Sequence, residues 1–312
     1  MKIVYGVENL KPTVSESVAS VGVFDGVHRG HQEIIKTVVK EAKERGVPSI
    51  IVTFEPHPLE VTSPGSYPPI LTSLDLKAEL IGDLSVDFLL VIPFTKEFAD
   101  LAPMNFIENI LVKALHVTCV VVGEDFKFGR RAGGSVALLE DYGRRCGFDV
   151  ICLPLLYLEG MPVSSTRIRN LLQRGDMEAA REILGRYPRI SGWVVKGTGL
   201  ARSKLGFSTT NIETHDKASV PGEGVYAGLI HLNGGRKICA IHIGTSPTLG
   251  IKKPRIEAHI LDFDGELYEK RVELEIYHKI RDVKTFRDEK SLADRIKKDI
   301  QTTRRIMKRL RK

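Results

Sequence analysis

Near Tyr187 and Pro188 the hydrophobic rhythm of the chain changes, and this change constrains the fold more than any other feature. Before it, short apolar runs alternate with helical patterns. Residues 21–24 read as a strand followed by a Gly-rich turn. From His31 to Arg45, the residues Ile34, Ile35, Val38, Val39 and Ala42 share one helical face, and Gly46 closes the helix. Residues 49–54, 87–92, 118–122 and 148–153 read as further strands, with a helical pattern over 105–114. This alternation predicts a parallel, doubly wound α/β sheet, whose ligands bind at the carboxyl ends of the strands.

After residue 186 the period is two. Residues 225–232, 237–243, 256–261 and 271–277 read as strands, with Asn233-Gly234 and Asp264-Gly265 as tight hairpin signals between them. In RVELEIY, Val272, Leu274 and Ile276 face one way and Glu273 and Glu275 the other. Short strands joined by hairpins predict a small antiparallel β-barrel. Residues 290–312 are helical, with Leu292, Ile296, Ile300, Thr303 and Leu310 in one stripe. A chain of 312 residues can bury two cores. The predicted domains are 1–186 and 187–312.

Lys and Arg number 46 against 39 Asp and Glu, a net charge of +7 that suits an anionic ligand. Much of the excess lies in the C-terminal run KKDIQTTRRIMKRLRK. That helix is expected to pack by its apolar stripe rather than to bind nucleic acid. Cys119, Cys146, Cys152 and Cys239 show no CxxC spacing and fall mostly in apolar runs, as expected of reduced core cysteines in a cytoplasmic protein. The N-terminus has no long apolar core, so no signal peptide is predicted, and the apolar run 88–94 is too short to span a bilayer. No feature speaks to oligomeric state.

GVFDGVHRGHQ, residues 22–32, places His28 and His31 three apart where a turn containing Gly26 and Gly30 meets a helix. A helix N-terminus offers free N–H groups and partial positive charge to phosphate, and two imidazoles there can stabilise charge developing on an attacked phosphorus. The alternatives are a zinc pair, which lacks a third ligand nearby, or two incidental histidines. In VSSTRIR, residues 163–169, three hydroxyls precede two arginines. Ser164 or Ser165 can serve as a helix cap, whereas paired guanidiniums match phosphate. GEDFKFGRRAGG, residues 123–134, is a Gly-rich basic loop after a strand, a mobile loop or a ligand loop.

GVFDGVHRGHQ, TFEPHP (53–58), VVGEDFKFG (121–129) and VSSTRIR resemble, in order, the adenylyltransferase half of bacterial bifunctional riboflavin kinase/FMN adenylyltransferases, the FAD synthetases. The resemblance implies a Rossmann-like nucleotidylyltransferase domain in which the FMN phosphate attacks the α-phosphorus of ATP, giving FAD and pyrophosphate. It further implies that Gly22, Phe24, Asp25, Gly26, His28 and His31 bind ATP, with Ser164, Ser165, Thr166 and Arg169 closing on the phosphates. His28, His31 and Arg169 would be catalytic. Asp125 and Phe126 would touch the flavin, and Phe54 would either stack on it or belong to the core.

In LGFSTTN, Thr209 and Asn211 are two apart, so an extended chain aims both oxygens the same way. They are hard ligands acceptable to magnesium, or part of a polar turn. Glu257, in IEAHILDF, alternates away from Ile256, Ala258 and Ile260, and is either a solvated carboxylate or a general base. LGFSTTN, GEGVYAG (222–228), HIGTSPT (242–248) and EAHILDFDGELY (257–268) resemble the riboflavin kinase domain of the same proteins. By that resemblance Thr209 and Asn211 bind Mg2+ and ATP, and Glu257 takes the proton of the ribityl 5′-hydroxyl as it attacks the γ-phosphate.

The chain departs from the family pattern GD-x-x-GR-x-LGFPTAN. Thr198 replaces the acid, Ala201 a glycine, and Ser208 and Thr210 the Pro and Ala. His242 stands where asparagine is common. The expected function is two-step synthesis of FAD from riboflavin, with ATP, riboflavin and FMN as partners and no membrane. The alternatives are an FMN adenylyltransferase with a weak or inactive kinase half, and a flavin- or RNA-binding regulator.

Overall fold

The computed structural model describes residues 1–10, 15–196, 207, 209–232, 235–246, 248 and 251–310. They form two compact units, one of residues 1–68 and 74–164, the other of 69–73 and 165–312.

The first unit is built on six parallel strands, β1 (Lys2–Tyr5), β2 (Ser17–Val21), β3 (Ser49–Glu55), β4 (Phe88–Pro93), β5 (Val117–Gly123) and β6 (Asp149–Leu153). Their order is β1-β4-β3-β2-β5-β6, and every pairing is parallel. Its helices are α1 (Arg29–Arg45), α2 (Pro58–Thr62), α3 (Leu74–Gly82), α4 (Lys96–Ala99), α5 (Pro103–Phe106) and α6 (Val136–Cys146). Alternate strand residues feed two cores, as a sheet covered on both faces requires. Val18, Ile51, Leu89 and Val121 pack with Ile35 and Val38 of α1 and Leu76 and Ile81 of α3. Ala19, Val52, Leu90 and Val120 pack with Phe106 and Leu139 on the other face. The chain steps outward from β2 through β3 to β4, and the other way from β5 to β6. The order therefore reverses between β2 and β5, where a doubly wound sheet opens its crevice.

The strand expected at 21–24 lies earlier, at Ser17–Val21. All five of its residues are buried, and the Ser17 hydroxyl is satisfied by donating to the Leu115 carbonyl at 2.6 Å. Phe24 has φ 50° and cannot continue a strand. The expected helix at 105–114 begins as α5 and continues over Ile107–Ala114 with π winding, in which Leu115 N–H reaches the Ile110 carbonyl.

The second unit holds α7 (Ser165–Arg174), α8 (Met177–Leu184) and a closed barrel of β9 (Arg189–Val195), β10 (Thr210–Thr214), β11 (Gly224–Leu232), β12 (Gly235–Ser246), β13 (Ile251–Ile260) and β14 (Arg271–Arg281). A short hairpin, β7 (Tyr157–Leu158) with β8 (Met161–Pro162), belongs to the first unit. The final helix is α9 (Glu289–Leu310). Barrel order is β10-β13-β12-β11-β14-β9, all antiparallel.

Some local details differ from expectation. The Leu232–Gly235 pairing spans positions 233 and 234, which lie outside the described residues. Asp264-Gly265 forms no tight hairpin. The connection from β13 to β14 runs from Leu261 to Lys270, tied by Leu261 N–H to the Ile238 carbonyl and Glu269 N–H to the Val194 carbonyl. The α9 stripe is broader than expected: Asp299 and Met307 are buried with Thr303, Leu292, Ile296 and Ile300 are half-buried, and Leu310 is exposed. All four cysteines are free, but only Cys119 and Cys239 are buried; Cys146 and Cys152 are exposed.

Candidate active sites

The segment leaving β2 bends sharply because its carbonyls are held from outside. Val23 O accepts from Lys77 Nζ at 2.8 Å and from Thr53 Oγ1 at 3.1 Å, and Val27 O accepts from Gln32 Nε2 at 2.8 Å. Phe24, Gly26 and Val27 all take positive φ, at 50°, 87° and 40°. For Gly26 this is easy, but for Phe24 and Val27 it is strained backbone that the surroundings must enforce. The bend delivers His28 to the N-cap of α1, where its Nδ1 accepts from His31 N–H at 3.3 Å. An accepting Nδ1 puts the proton of the neutral ring on Nε2.

The His28 and His31 rings stack with centroids 3.6 Å apart, 15° from parallel, and Phe24 meets His31 edge-on at 5.2 Å. His28 and Asp25 are buried. His31 Nδ1 is buried and has no hydrogen-bond partner among the described residues. Burial, then His28, then Lys77 hold the His31 pKa well below its usual value, so the ring is neutral at pH 7. A Cβ on Gly30 would meet only His28 at 3.4 Å and Val163 at 3.9 Å, so packing does not demand glycine there. Gly22 does face the Phe24 ring, 3.1 Å from where its Cβ would stand.

Asp125 and Phe126 follow β5, across the crevice between β2 and β5. A Cβ on Gly123 would lie 3.1 Å from Asp125 Oδ1 and 3.7 Å from Ile34 of α1. Phe126 stacks on Phe128 with centroids 5.4 Å apart. Phe54 is nearly buried, edge-on to Phe94 at 5.3 Å and tilted against Phe98 at 5.7 Å. Ser164 ends the first unit, while Ser165, Thr166 and Arg169 lie on α7 in the second. There Arg169 Nε donates to the Pro69 carbonyl at 2.6 Å.

Sequence reasoning missed Lys77 and Thr53. Lys77 interrupts the apolar spacing Leu74, Ala78, Ile81 on α3, and this was the one signal available.

In the barrel, Asn211, Glu257, His242, Val225 and Arg281 pair in register across β10, β13, β12, β11 and β14, so one rung carries all five. Glu257, His242 and Arg281, with Thr209 and His259, line a cavity of about 110 Å³. Its apolar wall includes Phe207, Ala240 and Phe286, and Leu292, Ile296 and Ile300 of α9. Asn211 opens instead onto a neighbouring cleft of about 570 Å³ with Lys196, Glu213 and Arg255. Burial raises the Glu257 pKa, partly countered by Arg255. Burial lowers that of His242, whose Nε2 lies 3.1 Å from the Thr245 carbonyl. Arg281 closes the rung on Asp299 of α9 at 2.7 Å, and Arg295 meets the same carboxylate at 3.0 Å. Thr198, Ala201 and Ser208 lie outside the described residues.

No described helix is long and apolar enough to cross a membrane. A family model described as FAD synthetase matches residues 10–167, and one described as riboflavin kinase matches residues 184–307. The chain is 36% identical over 98% of both chains to the bifunctional riboflavin kinase/FMN adenylyltransferase of Buchnera aphidicola subsp. Schizaphis graminum (strain Sg). The protein of that name from Pseudomonas fluorescens is 37% identical over 98% of both chains, and that from Escherichia coli (strain K12) 35% over 97%. A crystal structure from Streptococcus pneumoniae, described as a macrolide-efflux protein, matches with a TM-score of 0.86 and 26% identity over 97% of this chain and 99% of that one. The chain belongs to the bifunctional riboflavin kinase/FMN adenylyltransferase family, and its two activities are phosphorylation of riboflavin and adenylylation of FMN.

Proposed function

We propose that the two reactions use two separate sites, adenylyl transfer within residues 1–186 and phosphorylation within 187–312. At the first, the FMN phosphate oxygen attacks the α-phosphorus of ATP, a new P–O bond forms, and the bond to pyrophosphate breaks. Such transfer rests on positioning and charge stabilisation. The observation that carries the assignment is the stacked histidine pair at the α1 N-terminus, with His31 Nδ1 buried and unpartnered among the described residues. That nitrogen and the first N–H groups of α1 suit phosphate oxygens. Gly22, Phe24, Asp25 and Gly26 shape the loop around them. Ser164, Ser165, Thr166 and Arg169 are assigned to ATP phosphate by the resemblance of VSSTRIR to the family's motif. Phe126 and Asp125 contact the flavin, and Phe54 supports that wall from the core. His28→Ala and His31→Ala, assayed for FAD and pyrophosphate from FMN and MgATP, are each expected to lose about 100-fold or more in kcat. Turnover at the wild-type rate in both would remove the pair from the site.

At the second site Glu257 accepts the proton of the ribityl 5′-hydroxyl as that oxygen attacks the γ-phosphorus and ADP leaves. Its half-buried place in the cavity and its raised pKa suit a base that must take a proton. Among the described residues no group of three or more His, Cys, Asp or Glu could hold a metal by itself. Thr209, in the cavity with Glu257, and Asn211, on the neighbouring cleft, would supply a hydroxyl and an amide oxygen, donor types that suit Mg2+ completed by phosphate and water. Magnesium bound there supplies neutralisation of phosphate charge. A cytoplasmic location is supported by four free thiols.

A further inference from the structure

We propose that Lys77 is a positioning residue of the adenylyl-transfer site: its buried ammonium holds the loop between β2 and α1 in the shape that stacks His28 on His31. The proposal rests on the assignment of adenylyl transfer to that loop. Lys77 lies on α3, only 5% exposed, in a helix whose neighbouring residues Leu76, Ala78 and Ile81 are core. A lysine is seldom buried so deeply unless its charge is used.

Its Nζ donates to Val23 O at 2.8 Å and to Thr53 Oγ1 at 3.2 Å, and Thr53 Oγ1 in turn donates to Val23 O at 3.1 Å. This closed triangle ties α3 and β3 to the one carbonyl that precedes Phe24, where the backbone enters its left-handed turn. The charges facing the ammonium are the carboxylates of Asp25, in the loop itself, and Glu55, at the end of β3; both favour its charged form, and burial opposes it. Lys77 also acts on His31 through space, opposing protonation of that ring together with burial and His28. One side chain thus fixes the path of the loop and adds, after burial and His28, to what keeps the imidazole that meets phosphate neutral. Neither role requires contact with ATP, so loss of the ammonium should slow the chemical step more than it weakens binding.

The test uses the full-length protein and Lys77→Met, which keeps length and apolar volume but removes the charge and both donated bonds. With FMN and MgATP, kcat for FAD formation is expected to fall about 100-fold, with KM for either substrate moving less than about threefold. Histidine ring signals followed by NMR are expected to show His31 titrating closer to its ordinary value while the signals stay as dispersed as in the parent. Loosened packing would also relieve burial and raise that pKa, but it would collapse the dispersion. A thermal unfolding transition of the first unit at the parent temperature reports that the unit carrying Lys77 is folded. Unchanged kcat in Lys77→Met, or an unmoved His31 titration, overturns the proposal. If Lys77→Met does not fold, Thr53→Val replaces it. That change deletes one partner of the ammonium at constant volume and should lower kcat about three- to tenfold, so unchanged kcat there overturns the proposal too. FAD formation abolished by His28→Ala but untouched by Lys77→Met sinks the role of Lys77 alone. Full activity of His28→Ala sinks the site assignment beneath it.

Discussion

Gly30→Ala separates what the α1 N-terminus does for stability from what it does for phosphate. Gly30 is the second residue of α1, and a methyl group there would make only ordinary contacts, 3.4 Å to the His28 ring and 3.9 Å to Val163. Alanine is favoured over glycine in a helix by up to about 1 kcal/mol, less in the first turn. In a unit of this size that raises Tm by about 1–4 °C. The same methyl projects toward the helix N-terminus, as every helical Cβ does, into the space where a phosphate oxygen would accept from the Gly30 N–H. Displacing the reacting phosphate by about 1 Å costs about 100-fold, or about 2.7 kcal/mol of transition-state stabilisation. The variant should therefore be as stable as the parent or more so, and nearly inactive in making FAD from FMN. Thermal unfolding and a stopped assay for FAD measure the two sides. FAD formation within about threefold of the parent, in a protein with raised Tm, would refute phosphate binding at this helix end.

The Asp299 carboxylate is buried between Arg281 and Arg295, so Asp299→Ala strands the Arg281 guanidinium. Breaking a buried pair on one side costs about 3–5 kcal/mol. The barrel unit should melt roughly 10 °C earlier and lose riboflavin phosphorylation on heating before FMN adenylylation; coincident loss of both activities at the parent temperature would contradict this. His31 has a folded-state pKa below its unfolded value, so the unfolded chain takes up its proton first. Its contribution to stability is complete above about pH 6.5 and declines as pH falls below that. Urea unfolding of the parent against His31→Asn should show the acid-side slope reduced in the variant, and identical slopes would exclude His31 as its source.

Much of this architecture was legible because the signals are local. In α1, Ile35, Val38 and Ala42 repeat at helical spacing and bury as a stripe, and the strands β3, β4 and β5 are mostly apolar runs buried on both faces. His28 and His31 are legible for the same reason, since three residues at a helix start suffice to bring them together. Strand β2 was misplaced because its serines read as polar, while the fold satisfies Ser17 through Leu115, 98 positions away. Strand β10, TNIET, buries only Ile212 and carries no period by itself; it exists because β9 and β13 flank it. The role of Lys77 was hidden for a related reason, although its break in the apolar spacing of α3 showed. Its partners Val23 and Thr53 come from other elements, and nothing near residue 77 announces them. The rung from Asn211 to Arg281 likewise depends on strand register, which alternation alone leaves open.

If one chain carries two independent sites working in sequence, a crossed product assay separates them. Parent protein, His28→Ala and Glu257→Gln are each given MgATP with riboflavin, or MgATP with FMN, and the flavins are separated by chromatography. The parent should make FAD from either flavin. His28→Ala should convert riboflavin to FMN and stop, whereas Glu257→Gln should make FAD from FMN but lose about 100-fold or more in phosphorylating riboflavin. Parallel loss of both activities in either variant would contradict two separate sites.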